Sequence, residues 1–173
     1  MSLDTALAFT LPAEGGFVDD PDDHGGATNH GVTQASYDAW RASHSQPSQS
    51  VQLITDAETR QLYDEDYWQP LKCPLLPSPL DVAHFDWGVN HGVHGANKTL
   101  QHALGLSAVD GIIGPQTLAA LAKADISALV TAYQALRVAF YHADVVADPS
   151  QAKFLPGWLK RVNQLNEYLE TLA

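Results

Sequence analysis

A glycine-rich, acidic segment near the N-terminus interrupts a chain whose other segments are patterned as helices. Residues 11–34 contain five carboxylates and five glycines, and Glu14 stands directly before the first glycine pair. Asp-Pro and Gly-Gly pairs favour turns, because proline fixes one backbone angle and glycine adopts conformations that other residues avoid. The pieces "FV" and "GVTQ" suit short extended strands. The chain is therefore predicted to be a mainly α domain with one small β-hairpin lobe near its N-terminus.

Local capping signals place the first helices. Ser2 or Asp4 would cap the first helix, and Pro12 is expected to kink or end it, which puts Glu14 at or just past its C-terminus. A second helix is predicted to start after Thr33, and "TDAE" from residue 55 has the capping-box pattern of a third. Apolar periodicity predicts further helices within residues 78–92, 94–106, 115–124, 125–147 and 155–173.

Charge and composition restrict the classes of partner. The chain of 173 residues carries 20 Asp and Glu against 9 Lys and Arg, a net charge of -11, which repels phosphate backbones and anionic membranes. Neither nucleic acid nor a membrane is therefore an expected partner. The N-terminus has an acid where a signal peptide would carry Lys or Arg, so a soluble protein without an export signal is expected. Cys73 is the single cysteine, which rules out an intramolecular disulfide.

Glu14 is the strongest candidate for chemistry. Hydrolysis of a glycosidic bond needs a carboxylic acid that protonates the leaving oxygen, and usually a second group that activates water or stabilises positive charge. A glutamate at the C-terminal end of a helix faces the negative pole of the helix dipole, and apolar neighbours such as Phe17 would favour its protonated form further. The alternative is that Glu14 is an exposed acid before a Gly-Gly helix stop.

The aspartates after Glu14 offer a second carboxylate. Asp22 and Asp23 lie eight and nine residues after Glu14, within reach across a hairpin that bends at the glycines. Thr28 and Thr33 add hydroxyls that would position a water molecule. The other aspartates of "DDPDD" are expected to form turns or to carry solvated charge.

Metal sites are poorer matches to the sequence. The acidic segment lacks the register of an EF-hand calcium loop. Zinc in a metal amidase would use His91 and His94 with His84 or His24, but no HExxH motif is present and the spacing does not identify the third ligand. No metal and no cofactor is therefore predicted.

Two further groups of residues are candidates for binding substrate. In "FDWGVNHG" Asp86 and Asn90 share one helix face, and Asn90 or His91 would line a sugar cleft. The alternative for this helix is a structural hydrogen bond that ties it to the rest of the fold. Tyr37 and Trp68 are candidates for stacking on sugar faces, although the tryptophans are mostly expected in the core.

Three blocks of sequence resemble one known family. "EGGFVDDPDDHGGATNHGVTQ" resembles the N-terminal signature of glycoside hydrolase family 108, lysozyme-like N-acetylmuramidases of phage endolysins and bacterial wall-degrading proteins. "FDWGVNHG" is similar to the second block of that family. "LQHALGLSAVDGIIGPQTLAAL" resembles its third, which is described as a peptidoglycan-binding domain. The resemblance implies a lysozyme-like fold with a catalytic region at 1–90 and a helical binding region at 91–173, integrated into one globular unit.

The resemblance also implies a reaction. It is cleavage of the β-1,4 bond between N-acetylmuramic acid and N-acetylglucosamine in peptidoglycan, with Glu14 as general acid. In phage lysozymes eight residues separate the acid from the aspartate, and five separate the aspartate from a threonine. Here eight residues lie between Glu14 and Asp23, whereas five lie between Asp22 and Thr28. The partner of Glu14 and the choice between retention and inversion therefore stay open. A non-catalytic peptidoglycan-binding module and a zinc-dependent amidase are the competing hypotheses.

The expected biology follows from the same resemblance. The glycan strands of peptidoglycan would be the partner of a monomer. A protein made in the bacterial cytoplasm without a signal peptide would reach the periplasm or cell wall through a holin if it is an endolysin, or through a secretion machine if it is an effector. An effector would also need an immunity protein as partner.

The net charge generates a prediction about attack on cells. Because cell-wall surfaces are anionic, a protein at -11 should associate with them slowly at low ionic strength. Lysis of cells is therefore expected to speed up with moderate salt, or at mildly acidic pH, where the eight histidines gain charge. A turbidity assay across salt concentrations measures this, and a rate that falls steadily as salt is added would contradict the electrostatic argument.

Overall fold

The computed structural model describes residues 2–18 and 27–172. Most of these residues lie in helices. The α-helices are α1 (Leu3–Glu14), α2 (Gln34–Ser43), α3 (Asp56–Tyr63), α4 (Leu80–His91), α5 (Val93–Ala103), α6 (Pro115–Leu121), α7 (Ile126–Ala147) and α8 (Leu155–Glu170). A π-helical turn, Asp64–Trp68, continues α3, and short 3-10 turns occupy Val51–Leu53, Cys73–Leu75 and Pro149–Lys153.

Helix α1 starts where the capping signal predicts but runs past its proline. The Ser2 side chain accepts a hydrogen bond from the backbone N–H of Thr5, and the helix ends at Glu14. Pro12 does not end the helix, so that part of the prediction is wrong. Its missing N–H deprives the carbonyl of Ala8 of its helical donor, and Ala8 is exposed to water. Gly15, with φ of +84°, then turns the chain out of the helix.

The small β lobe is a two-stranded antiparallel hairpin of β1 (Thr28–Asn29) and β2 (Val32–Thr33). Its two-residue turn has positive φ at both positions, 51° at His30 and 75° at Gly31, as type I′ hairpins require. Thr33 then caps α2 by accepting from the N–H of Ser36. The predicted fold class, mainly α with a small β-hairpin lobe, is confirmed.

Helix α4 occupies the centre of the molecule. Every residue from Leu80 to Gly88 is buried, and the helix contacts α1, α5, α7 and α8. A helix that is buried on all sides must satisfy its polar groups within the protein. The predicted boundary at 90/91 falls at the end of this helix, where Gly92 has φ of +79° before α5 begins. None of the helices in the two described ranges is long and apolar enough to cross a membrane.

His84 links α4 to the helices that follow it. Its Nδ1 bonds the hydroxyl of Tyr133 at 2.8 Å and its Nε2 bonds Oδ1 of Asn97 at 3.0 Å. Burial lowers the pKa of His84 to about 4, so the ring is neutral near pH 7. The Asn97 amide in turn donates to the carbonyl of Gly111 at 3.0 Å. This chain of bonds joins α4, α5, α7 and the loop before α6.

The close contact between α4 and Leu71 generates a stability prediction. A Cβ atom on Gly88 would overlap both methyl groups of Leu71, which is fully buried. Gly88→Ala is therefore expected to lower the free energy of unfolding by about 1–3 kcal/mol through overpacking. Urea unfolding followed by circular dichroism measures the change.

Gly157→Ala is the matched control, since Gly157 lies in α8 and no atom of residues 2–18 or 27–172 beyond its own helix and chain neighbours lies within 4 Å of an added Cβ. There the same substitution should stabilise by about 0.5–1 kcal/mol, because alanine loses less backbone entropy in a helix. Equal effects of the two variants would mean that the contact with Leu71 is not what excludes a side chain from position 88.

Candidate active site

Glu14 lies where α1 meets the hairpin lobe. The turn of the hairpin packs against it, so that a Cβ on Gly31 would lie 3.0 Å from Cγ of Glu14 and 2.8 Å from the hydroxyl of Tyr63. That hydroxyl donates to the carbonyl of His30 at 2.8 Å and holds the turn in place. Position 31 therefore needs glycine both for its positive φ and for the space that it leaves to Glu14.

Arg161 from α8 is the charged partner of Glu14. Its Nη2 lies 2.7 Å from Oε1 of Glu14, and the two side chains are 15% and 22% exposed. The same Nη2 lies 2.6 Å from Oδ1 of Asp86 on α4. The guanidinium thus bridges two carboxylates, one buried and one at the surface. Apolar neighbours such as Phe17 would favour the protonated form of Glu14, but the structure places a cation beside it and leaves Phe17 exposed.

Asp86 is the buried centre of this arrangement. It is fully buried and also pairs with Nη1 of Arg137, itself fully buried, at 2.7 Å. The hydroxyl of Thr10 donates to its Oδ1 at 3.2 Å. Burial by itself would raise the pKa of Asp86, but the charges and hydrogen bonds of Arg137 and Arg161 outweigh it and keep the pKa below its usual value. Asp86 is therefore an ionised group whose role is to hold two arginines.

The four side chains form one cluster, which we call the Glu14–Arg161 network: Glu14, Arg161, Asp86 and Arg137. Two carboxylates face two guanidiniums, so the charges balance within the cluster. Arg137 also lies over the ring of Trp87, with its Cζ 4.9 Å from the ring centroid. The four residues of the network come from α1, α4, α7 and α8. The arrangement fixes Arg161 and, through Arg161, the position of the Glu14 carboxylate.

Two tyrosines stand next to Glu14 on the α3 side. Burial and the Glu14 charge both raise the pKa of Tyr63, and burial, Asp66 and Glu14 raise that of Tyr67. Tyr67 is half-buried, and its ring centroid lies 5.5 Å from that of Tyr63. Tyr67 therefore offers a partly open aromatic face near the acid, a residue that sequence reasoning missed.

Trp68 was the predicted stacking residue in this segment, but the structure buries it at 4% exposure against Phe85. Tyr63 and Trp68 are five residues apart and both face inward, which fits the wider spacing of the π-helical turn. A sequence pattern based on 3.6 residues per turn does not reveal that spacing. This placement does not favour contact between Trp68 and a sugar.

Tyr37, a residue of α2, is fully buried and does not present its ring to a sugar. Its hydroxyl accepts hydrogen bonds from Nη1 of Arg41 at 2.9 Å and from Nε2 of Gln49 at 3.2 Å. Arg41 in turn pairs with Glu58 at 2.6 Å. The ring and hydroxyl of Tyr37 therefore join α2 to the loop after it and to the capping box of α3.

Asp22 and Asp23 lie outside the described residues, as does His24. The segment that contains them leaves and rejoins the described structure at one place, because Val18 and Thr28 exchange two backbone hydrogen bonds of 2.8 Å. Thr28 itself stands in β1, opposite Thr33 and three residues before Gly31. The predicted hydroxyl, that of Thr28, thus belongs to the hairpin whose turn packs against Glu14.

Asn90 and His91 lie one turn beyond Asp86 at the end of α4. Asn90 is exposed, and its Nδ2 donates to the backbone carbonyl of Asp86 at 2.8 Å. The His91 ring stacks on Trp87 at 4.5 Å and lies 4.1 Å from the ring of Phe140. Burial lowers the pKa of His91. In the two described ranges no group of three or more His, Cys, Asp or Glu residues is arranged to hold a metal ion.

The network generates a stability prediction. Asp86→Asn would leave the buried guanidinium of Arg137 without its counter-charge and Arg161 with Glu14 alone, and is expected to cost about 3–5 kcal/mol of unfolding free energy at pH 7. Asp4→Asn is the matched control, because Asp4 pairs with Arg60 at 2.6 Å in an exposed ion pair. That variant should change stability little, since water screens exposed pairs. Similar losses in both variants would contradict the buried role of Asp86.

The pH dependence of stability, measured for the native protein and for Asp86→Asn, tests the charge of Asp86. Because the folded pKa of Asp86 is depressed, its stabilisation is complete above the unfolded value of about 3.9 and is lost as pH falls through the lower folded value. The stability gap between the native protein and Asp86→Asn should therefore narrow on acidification below about pH 4. Chemical denaturation at several pH values measures the gap, and a gap that widens would refute this assignment.

Comparison with known proteins bears on this site. A family model described as "Glycosyl hydrolase 108" matches residues 7–92, and one described as "Predicted Peptidoglycan domain" matches residues 95–163. The chain is similar to a solved structure of SagA from Brucella abortus at 30% identity and a TM-score of 0.81, over 98% of this chain and 94% of that chain. No curated protein matches. The predicted resemblance and lysozyme-like fold are confirmed: the chain belongs to glycosyl hydrolase family 108.

Proposed function

We propose that this protein cleaves the β-1,4 bond between N-acetylmuramic acid and N-acetylglucosamine in peptidoglycan, with Glu14 as the general acid. Membership of the family supports a glycoside hydrolase, and the second match connects it with peptidoglycan. The observation that carries the assignment to Glu14 is its ion pair with Arg161 at the junction of the hairpin lobe and the helical body. This carboxylate is partly exposed and is held in place by a buried network.

The surroundings of Glu14 suit a bulky polymer. Among the described residues, no atom lies within 4 Å of a Cβ added to Gly15 or Gly16, so these residues leave the backbone beside the acid open. A glycan strand can therefore approach it closely. The hairpin turn at Gly31 packs against Glu14, and the half-buried Tyr67 adds an aromatic ring nearby. Sugar rings stack readily on aromatic rings.

Arg161 supports the chemistry of proton donation. When Glu14 gives its proton to the glycosidic oxygen, it becomes a carboxylate, and a guanidinium 2.7 Å away stabilises the negative charge that forms. The same guanidinium also contacts Asp86, which holds it in position beside Glu14. Asp22 or Asp23 would then stabilise the positive charge on the sugar or activate the water, as the second carboxylate does in such enzymes.

A non-catalytic peptidoglycan-binding module is the second candidate. The Glu14–Arg161 pair favours it in one respect, because an ion pair that joins α1 to α8 has a structural use without any chemistry. The two candidates differ in whether the protein releases new reducing sugar ends from peptidoglycan.

Glu14→Gln separates them, since glutamine has nearly the same shape as glutamate but no proton to donate. Release of reducing ends from purified peptidoglycan is expected to fall by at least about 10²–10⁴-fold, the usual contribution of a general acid. Glu167→Gln, the same change at an exposed position of α8, should keep full activity. Circular dichroism confirms that each variant is folded.

Unchanged release of reducing ends in Glu14→Gln would refute Glu14 as the acid. Complete absence of release by the native protein, with binding retained, would favour the binding module. New free amino groups instead of reducing ends would point to the amidase considered from the histidines.

Substitution of the two aspartates identifies the second carboxylate. If one of them is that carboxylate, its Asp→Asn variant (Asp22→Asn or Asp23→Asn) should release reducing ends about 10²-fold or more slowly, while the other variant keeps most of the rate. The anomer of the first product, read by proton NMR, then reports the mechanism. Retention would imply carboxyl groups about 5 Å apart, and inversion about 6.5–9.5 Å. Equal, small effects of both variants would remove the aspartates from the mechanism.

A further inference from the structure

A groove between α7 and α8, closed at its base by the loop before α4, lies apart from Glu14. Its volume is about 750 Å³, within the range of about 300–1,000 Å³ typical of small-molecule sites. Val130 and Gln134 of α7, Val162 and Asn166 of α8, and Ser78 of the loop are among the lining residues. Successive helical residues are rotated by about 100°, so Asn166 is on a different face of α8 from Arg161. We call this surface the α7–α8 groove.

Gln134 is a buried amide with one oxygen left unpaired. The residue is 5% exposed, and its Nε2 donates to Oδ1 of Asn166 at 2.8 Å. Its Oε1 is buried and has no hydrogen-bond partner among the residues that the structure describes, and the same is true of Oγ of Ser78. A buried acceptor without a partner is unfavourable, and a ligand with an N–H group would supply the missing donor once the Gln134 amide turns toward the groove. The groove therefore favours a ligand that donates a hydrogen bond.

The charge of the groove restricts the ligand further. Of its lining residues Glu170 is the one that carries a charge, and no Lys or Arg is among them. An anionic ligand, such as a peptide with several carboxylates, would gain nothing there and would be repelled by Glu170 and by a net charge of -11. The walls combine amides and hydroxyls with valine, isoleucine and leucine side chains. A neutral ligand that has an N–H group beside a methyl group matches this chemistry.

We propose that the α7–α8 groove is a second glycan-binding site, which takes the acetamido groups of N-acetylated sugars in the uncharged backbone of the glycan strand. The N–H of the acetamido group would donate to Oε1 of Gln134, and its methyl group would pack on the valine wall. The choice of polymer rests on the proposed function. Helix α7 and the first half of α8 also fall in the region, 95–163, that matches the "Predicted Peptidoglycan domain".

A second site would change how the enzyme works on a polymer. A strand that is held at the groove stays near Glu14 after each cleavage, because the second contact becomes intramolecular. Binding to insoluble peptidoglycan would then depend on the groove more strongly than binding of short fragments does.

The test titrates the tetrasaccharide of N-acetylglucosamine, which is neutral and contains no peptide, into the full-length Glu14→Gln variant. This variant is used so that the tetrasaccharide is not cleaved during the titration. The NMR signals of the Gln134 and Asn166 side-chain amides should shift on titration. Ala135→Trp, at an exposed position that lines the groove, should abolish these shifts and weaken sedimentation with peptidoglycan by about tenfold or more. Ala139→Trp, an exposed position of α7 outside the groove lining, is the matched control and should leave both unchanged.

Three results would overturn the proposal. Amide signals of Gln134 and Asn166 that stay in place at saturating tetrasaccharide would exclude the site without any variant. Equal sedimentation of Ala135→Trp and Ala139→Trp would exclude its role in holding peptidoglycan. Shifts caused by a stem tripeptide but not by the tetrasaccharide would assign the groove to the peptide. These readouts measure binding, so they stand even if Glu14→Gln proves to be active and the proposed reaction fails.

Discussion

The buried carboxylate of Asp86 is the group on which the arrangement of this molecule depends. An ionised carboxylate without water is tolerated only when cations and hydrogen bonds surround it, and here two arginines and a threonine do so. Those partners come from three other helices, so satisfying one charge in α4 requires α1, α7 and α8 to meet at that point. Arg161, which is held there, is also the residue that contacts Glu14.

This dependence joins the two parts of the chain that the family models describe separately. Arg137 and Arg161 lie in the region that matches the peptidoglycan domain, whereas Asp86 and Glu14 lie in the hydrolase region. The candidate acid is therefore positioned by a residue from the other region. His84 makes a second connection of the same kind through Asn97 and Tyr133. An isolated hydrolase region would lack the arginines that neutralise Asp86.

Local signals in the sequence were reliable where the interaction itself is local. Thr33 caps α2, and Thr55 with Glu58 forms a complete capping box, because both bonds are made within a few residues. The end of α1 at Glu14 follows in the same way from the glycine after it. Predictions about aromatic residues were less reliable. Tyr37 and Trp68 are buried, since which face of a helix meets the core depends on the partners it packs against and, at Trp68, on a π-helical turn.

The sequence by itself determined the fold class and the family, and it singled out Glu14 as the candidate acid, which stays a prediction. Periodicity, caps and a glycine-rich motif are properties of neighbouring residues, so they can be read without the fold. Only the tertiary structure decided that Arg161, 147 positions after Glu14, is its partner and that Asp86 holds that arginine in place. Such contacts depend on how distant helices pack, and the free energy that favours them, burial of apolar surface together with neutralisation of a buried charge, is shared by the whole core.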